Sequence, residues 1–187
     1  MKKLLLIVSA LSLVVFAVAL GSGPKLRPGT VGNGADAYWT PDGSHPANHV
    51  LVLRKNVPTT EWEAAGADIS GVEGYLVEDL TGLSWNLVDG AAGGGSPRWN
   101  IYYGQPGAGW EGYKFLEPAS YTDGVGAISG QEIIDGPNWV YRDIMPGDVI
   151  YYVQVIVDEQ EEIVLDDITV ELDGETTVFS GPGKSGR

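Results

Sequence analysis

Apolar and polar residues alternate along several short stretches of this 187-residue chain, and turn-forming residues separate the stretches. Leu83, Trp85 and Leu87 alternate with Ser84, Asn86 and Val88. Trp99, Ile101 and Tyr103 alternate with Arg98, Asn100 and Tyr102. Successive strand residues point to opposite faces, so the first three are expected inside and the second three outside. Val50–Leu53 and Val149–Val157 (VIYYVQVIV) are continuous apolar runs of strand length. The second is followed by the acidic turn DEQEE and then by Ile163–Leu172 (IVLDDITVEL), a pattern that predicts a hairpin. Asp173-Gly174 predicts a tight turn into a last strand over Thr176–Phe179. Only Thr60–Ala67, with Glu61, Trp62, Glu63 and two alanines, predicts helix, of one or two turns. Long helices do not alternate with the strands, which argues against a parallel α/β sheet. The expected fold is all-β, a single antiparallel sandwich over residues 35–180.

The ends differ from this middle. Lys2 and Lys3, the apolar Leu4–Val18 and the small-x-small triplet Ala17-Val18-Ala19 predict a signal peptide over residues 1–19. The alternative is a retained anchor, since Leu4–Leu20 nearly has spanning length. Residues 20–34 are expected as a flexible leader and 181–187 (GPGKSGR) as a disordered tail.

Charge and composition narrow the partners. Cleavage removes two of the 11 cationic residues and leaves nine against 25 acidic ones, a net charge of about −16. Such a surface disfavours nucleic acid and anionic membranes, whose binding requires Lys and Arg. There is no cysteine, which excludes disulfides, thiolate nucleophiles and Cys-ligated zinc. The 27 glycines and 11 prolines are spread throughout, as a loop-rich β-domain requires. The expected protein is secreted, extracellular or held at the cell envelope, and monomeric.

Six tryptophans and nine tyrosines accompany only three phenylalanines. Trp and Tyr pair a flat apolar face with a polar edge, which suits sugar rings and wet interfaces. Trp110 and Tyr113 lie in GAGWEGY, expected to be a loop, with Tyr121 and Trp139 near other turns. These rings are either binding platforms or lids folded over the core. Arg98, in GGGSPRWNIYY, either contacts a ligand beside Asn100 and Tyr102 or serves nearby loop carbonyls and acidic neighbours.

Asp158, Glu159, Glu161 and Glu162 surround the acidic turn in a spacing that matches no EF-hand loop. His45 and His49 would need a third ligand for zinc, and Asp42 is the local candidate. No nucleophile elbow, HExxH or phosphate-cradling loop is present. Glu61, Glu63, Glu73, Glu78 and Asp79 are available carboxylates, but nothing singles out a catalytic pair.

IVLDDITVEL after a long apolar strand and an acidic turn resembles the closing strands of jelly-roll, carbohydrate-binding-module-like domains. GGGSPRWNIYY is similar to a segment of secreted bacterial β-sandwich domains of undefined function. The resemblance implies a jelly-roll-like sandwich and a non-catalytic module for glycan or another extracellular surface ligand. Its ligand contacts are then Arg98, Asn100, Tyr102, Trp110, Tyr113 and Trp139. It also implies a structural calcium (Ca2+) at Asp166 and Asp167, of which strand alternation would turn one inward or toward a loop. The competing expectations are a structural envelope or matrix protein and, behind it, a small glycan-cleaving enzyme.

Overall fold

Trp85 and Trp99 meet between two sheets, one ring from each, with centroids 5.1 Å apart and planes tilted by 39°. The computed structural model describes residues 23–92, 95–136, 140–182 and 185–186. In chain order the strands are β1 (Lys25–Val31), β2 (Ala35–Pro41), β3 (His49–Lys55), β4 (Ala64–Ser70), β5 (Leu80–Asp89) and β6 (Arg98–Gly104). There follow β7 (Gly112–Leu116), β8 (Tyr121–Thr122), β9 (Val125–Ser129), helix α1 (Gly130–Asp135), β10 (Val149–Val157), β11 (Glu162–Leu172), β12 (Glu175–Phe179) and β13 (Ser185–Gly186).

The first sheet has the order β1-β4-β10-β6-β7. The second has β13-β12-β11-β5-β9-β8, with β3 also on β11 and β2 on β3. The pairs are antiparallel. The chain changes sheets repeatedly: β3 lies in the second, β4 in the first, β5 in the second and β6 in the first. The result is the expected all-β, jelly-roll-like two-sheet sandwich.

Alternation sorts the side chains. Leu83 and Trp85 from β5 and Trp99, Ile101 and Tyr103 from β6 are buried in one core with Val153 and Val155 of β10 and Leu165 of β11. At about 25 cal/mol per Å² of apolar surface, such rings and branched chains supply the main force for closing the sandwich. Asp173 and Gly174 both take left-handed backbone, with φ of 51° and 75°, and join β11 to β12 as the tight turn expected.

Four expectations are corrected. β10 and β11 are not a hairpin: β10 is flanked by β4 and β6, and β11 lies in the other sheet. The acidic turn between them is a crossing from one sheet to the other. The leader is ordered from Lys25, because Lys25–Val31 pairs along β4 as an edge strand where Pro28 is tolerated. Thr60–Ala67 forms no helix; Ala64–Ser70 is strand β4, and its inward Ala65, Ala67 and Ile69 are buried. Within the tail expected to be disordered, Ser185–Gly186 pairs with β12. The signal peptide and alternative anchor lie outside the described residues.

Candidate functional site

The outward side of β6 opens onto an aromatic surface. Tyr102 faces Tyr113 of β7 on one side and Tyr152 of β10 on the other, and Asn100 faces Phe115 and Gln154. Tyr113 is therefore a strand residue on the same face as Tyr102, not the loop residue expected. Its ring stacks on Phe115 at 4.7 Å and on Tyr141 at 5.5 Å, with interplanar angles of 23° and 16°. Tyr102 meets Tyr113 at 6.0 Å, Tyr152 at 5.7 Å and the edge of Trp110 at 5.4 Å. Trp110 is 57% exposed and Tyr141 70%. These rings make one continuous patch over β10, β6 and β7.

The loop that presents Trp110 is held from below. A bulge in β10 inserts Tyr151 between Ile150 and Tyr152. The Tyr151 hydroxyl accepts from the Gly107 and Gly109 N–H groups at 3.0 and 3.1 Å and donates to the Gln105 carbonyl at 2.8 Å. Both glycines have left-handed backbone, with φ of 81° and 83°. The loop closes with Glu111 N–H donating to the Tyr103 carbonyl at 2.8 Å.

Polar groups border the rings. Gln154 donates from Nε2 to Asp68 Oδ1 at 2.8 Å, and the Tyr152 hydroxyl donates to the same oxygen. Burial first, and then the Asp68 carboxylate, push the Tyr152 hydroxyl up, so it stays a donor. Burial raises Tyr102 as well, against the opposing charge of Arg98. Arg98 itself is committed inside the protein. Its Nη1 and Nη2 donate to the two Asp158 oxygens at 2.6 Å each, Nη1 also to the Gly95 carbonyl at 3.0 Å, and Nε to Asn100 Oδ1 at 3.1 Å. Its guanidinium lies 5.0 Å from the centre of the Phe115 ring. Arg98 thus braces the floor of the face, serving a loop carbonyl and an acidic neighbour. Asn100, only 4% exposed, is part of that floor.

No family model, curated protein or solved structure matches this chain.

Of the residues singled out in the sequence, the fold brings Arg98, Asn100, Tyr102, Trp110 and Tyr113 to one face. Trp139 lies outside the described residues. Tyr121 packs against the core, and burial lifts its hydroxyl to about 12. Phe115, Tyr141, Tyr152, Asp68 and Gln154 belong to the face and were not anticipated. Tyr152 and Gln154 were visible in VIYYVQVIV as the polar positions of an otherwise apolar run, but strand order was needed to set them beside Tyr102.

Asp166 and Asp167 are not split between faces. β11 gains an extra residue here, Asp167 takes a φ of 44°, and the inward positions pass from Leu165 to Ile168. Neither aspartate turns inward. Asp166 Oδ2 accepts from Asn48 at 2.7 Å, and Asp167 Oδ2 accepts from Asn86 at 2.8 Å. Burial, reinforced by the Asp166 charge, raises the Asp167 carboxyl. Among the described residues, no group of three or more His, Asp or Glu that could hold a metal ion occurs. In the acidic crossing, Asp158 pairs with Arg98 and Glu162 lies 3.4 Å from Arg54. His45 lies 3.3 Å from Asp42, at the exposed turn before β3.

Proposed function

We propose that the protein is a secreted, non-catalytic binding module for glycan, and that the ligand lies on the outer face of the first sheet. The observation that carries this reading is the exposed patch of Tyr102, Trp110, Tyr113, Phe115 and Tyr141 beside the Asp68–Gln154–Tyr152 hydrogen-bond group. Sugar rings offer apolar C–H faces that stack on aromatic rings, and hydroxyls that bond to flanking amides and carboxylates. A rigid sheet carrying a pinned loop presents these groups with little ordering to lose on binding. The N-terminal signal pattern supports an exported location.

The test is affinity retention of the purified protein on a panel of soluble and insoluble polysaccharides, with calcium and with EDTA. Retention on one glycan class is expected, and Trp110→Ala should weaken it about tenfold, or ~1.4 kcal/mol, with an unchanged melting temperature. Failure of every glycan to retain the protein would refute the reading. Concentration-dependent polymers on size exclusion would then move the weight to a structural role in envelope or matrix.

A further inference from the structure

The registers of the first sheet place one residue from each of its five strands in a line across the outer face. Phe115 on β7 faces Asn100 on β6, which faces Gln154 on β10, which faces Asp68 on β4, which faces Arg27 on β1. At about 4.8 Å between strands the line spans roughly 19 Å, far more than one sugar ring. Its chemistry changes along the way: rings at the β6–β7 end, amides in the middle, and a carboxylate and an exposed guanidinium beyond. Beside it, Gly29 and Gly66 face each other across β1 and β4. A Cβ at Gly29 would meet nothing within 4 Å, so the surface is open there, whereas a Cβ at Gly66 would meet the Gln154 amide at 2.9 Å.

In the middle of the line the free hydrogen-bonding capacity is that of an acceptor. Among the described residues both bonds to Asp68, from Gln154 and Tyr152, fall on Oδ1, which leaves Oδ2 for an incoming donor. Gln154 spends its Nε2 on Asp68 and the Tyr152 oxygen, and its carbonyl oxygen takes no bond among the described residues. Arg98 is neutralised by Asp158. Arg27 and Lys25 are the cations on the neighbouring edge strand, facing Asp68 and Ser70. An acceptor-rich middle on a strongly acidic protein selects hydroxyl donors and repels carboxylates and sulfates.

We infer that the ligand is an uncharged, linear polyhydroxyl chain of several rings, lying across the strands from the Trp110–Tyr102 patch to Asp68. The inference rests on the proposed glycan-binding function and specifies its ligand: an internal stretch of a neutral polysaccharide instead of a terminal sugar or a uronate polymer.

The test is titration calorimetry of the full protein with β-1,4-linked gluco-, manno- and xylo-oligosaccharides, from monosaccharide to hexasaccharide, and with oligogalacturonates of matching length. For a neutral series, affinity should climb about a hundredfold with length and then level off. Asp68→Asn keeps an acceptor for Tyr152 and Gln154 but replaces the open oxygen by an amide donor. That variant should lose about tenfold on the hexasaccharide and nothing on the monosaccharide, whereas Trp110→Ala should weaken every length. Three results would each overturn the inference while sparing the glycan-binding reading: a monosaccharide as tight as a hexasaccharide, galacturonates at least equal to neutral chains, or an unaffected Asp68→Asn of wild-type melting temperature. Absence of binding in every series would remove both.

Discussion

Replacing Asp148 by alanine should cost the protein about 3 kcal/mol, although Asp148 touches no ligand-binding ring. Its side chain is fully buried and accepts from three donors. Gln105 Nε2 donates at 2.7 Å, Met145 N–H at 2.8 Å, and Arg142 Nη2 reaches the two oxygens at 3.0 and 2.9 Å. Bonds to a charged group are worth about 1.5–3 kcal/mol each, and removing one member of a buried pair costs about 3–5 kcal/mol. Arg142 keeps 24% of its side chain in water, which places the loss near the lower bound. For a domain of this size, that is a drop in melting temperature of roughly 6–12 °C, read by circular dichroism. Acid supplies an independent check. Burial works to raise the Asp148 carboxyl, but the bonds from Arg142, Met145 and Gln105 outweigh it and hold it below the ordinary 3.8. A carboxylate lowered on folding stabilises above its unfolded value, and that contribution is lost as pH falls through the folded one. The gap between wild type and Asp148→Ala should therefore be constant at neutral pH and narrow below pH 3.8. A loss under about 1 kcal/mol, or a gap that does not narrow in acid, would refute the assignment of Asp148 as the anchor of these loops.

Two further outcomes follow from groups whose charged form burial disfavours. Asp167 is raised by burial and by Asp166, so it costs stability as pH rises past 3.8; Asp167→Asn should raise the melting temperature at pH 7 by a few degrees, and the gain should vanish near pH 3. Asparagine also tolerates the left-handed backbone at this bulge. Lys114 turns inward from β7 and donates to the Ile133 and Ile134 carbonyls at the end of α1, at 2.6 and 2.7 Å. Burial lowers its ammonium below the ordinary 10.5, so its charged form is the costly one, and stability should rise as pH climbs toward that value. Lys114→Ala should lose about 2–3 kcal/mol at pH 7 in urea titration, because two helix-terminal carbonyls lose their donor, and should abolish the alkaline rise.

The alternation around Trp85, Trp99, Ile101 and Tyr103 reveals the fold class and the core because burial on one face of a strand imposes a period of two. Partners are another matter. VIYYVQVIV and IVLDDITVEL look like neighbours, since an apolar run, a turn and a second run are the ordinary signs of a hairpin. Which strand flanks β10 depends instead on β4 and β6, whose registers are set by residues dozens of positions away. Asp166 and Asp167 defeated alternation because a bulge resets it, and no turn residue announces this one. The candidate face was half legible. Tyr102, Trp110 and Tyr113 stand out as aromatics among glycines and polar residues, while Asp68 and Tyr141 acquire meaning only once β4 and the loop before β10 are in place. Helix α1 had a local sign, the Ser129–Glu132 capping box, hidden among strand signals.

The Tyr151 hydroxyl separates the shape of the Trp110 loop from its chemistry. It holds the loop through the main chain of Gln105, Gly107 and Gly109 and asks nothing of the side chains at 106, 108 and 110. Those positions are free to vary while the backbone keeps its path, much as an antibody framework tolerates changing contact residues. A single phenol on a neighbouring strand thus makes the rim of this face evolvable: its preference can drift, or be redesigned from a small library, without disturbing the sandwich beneath.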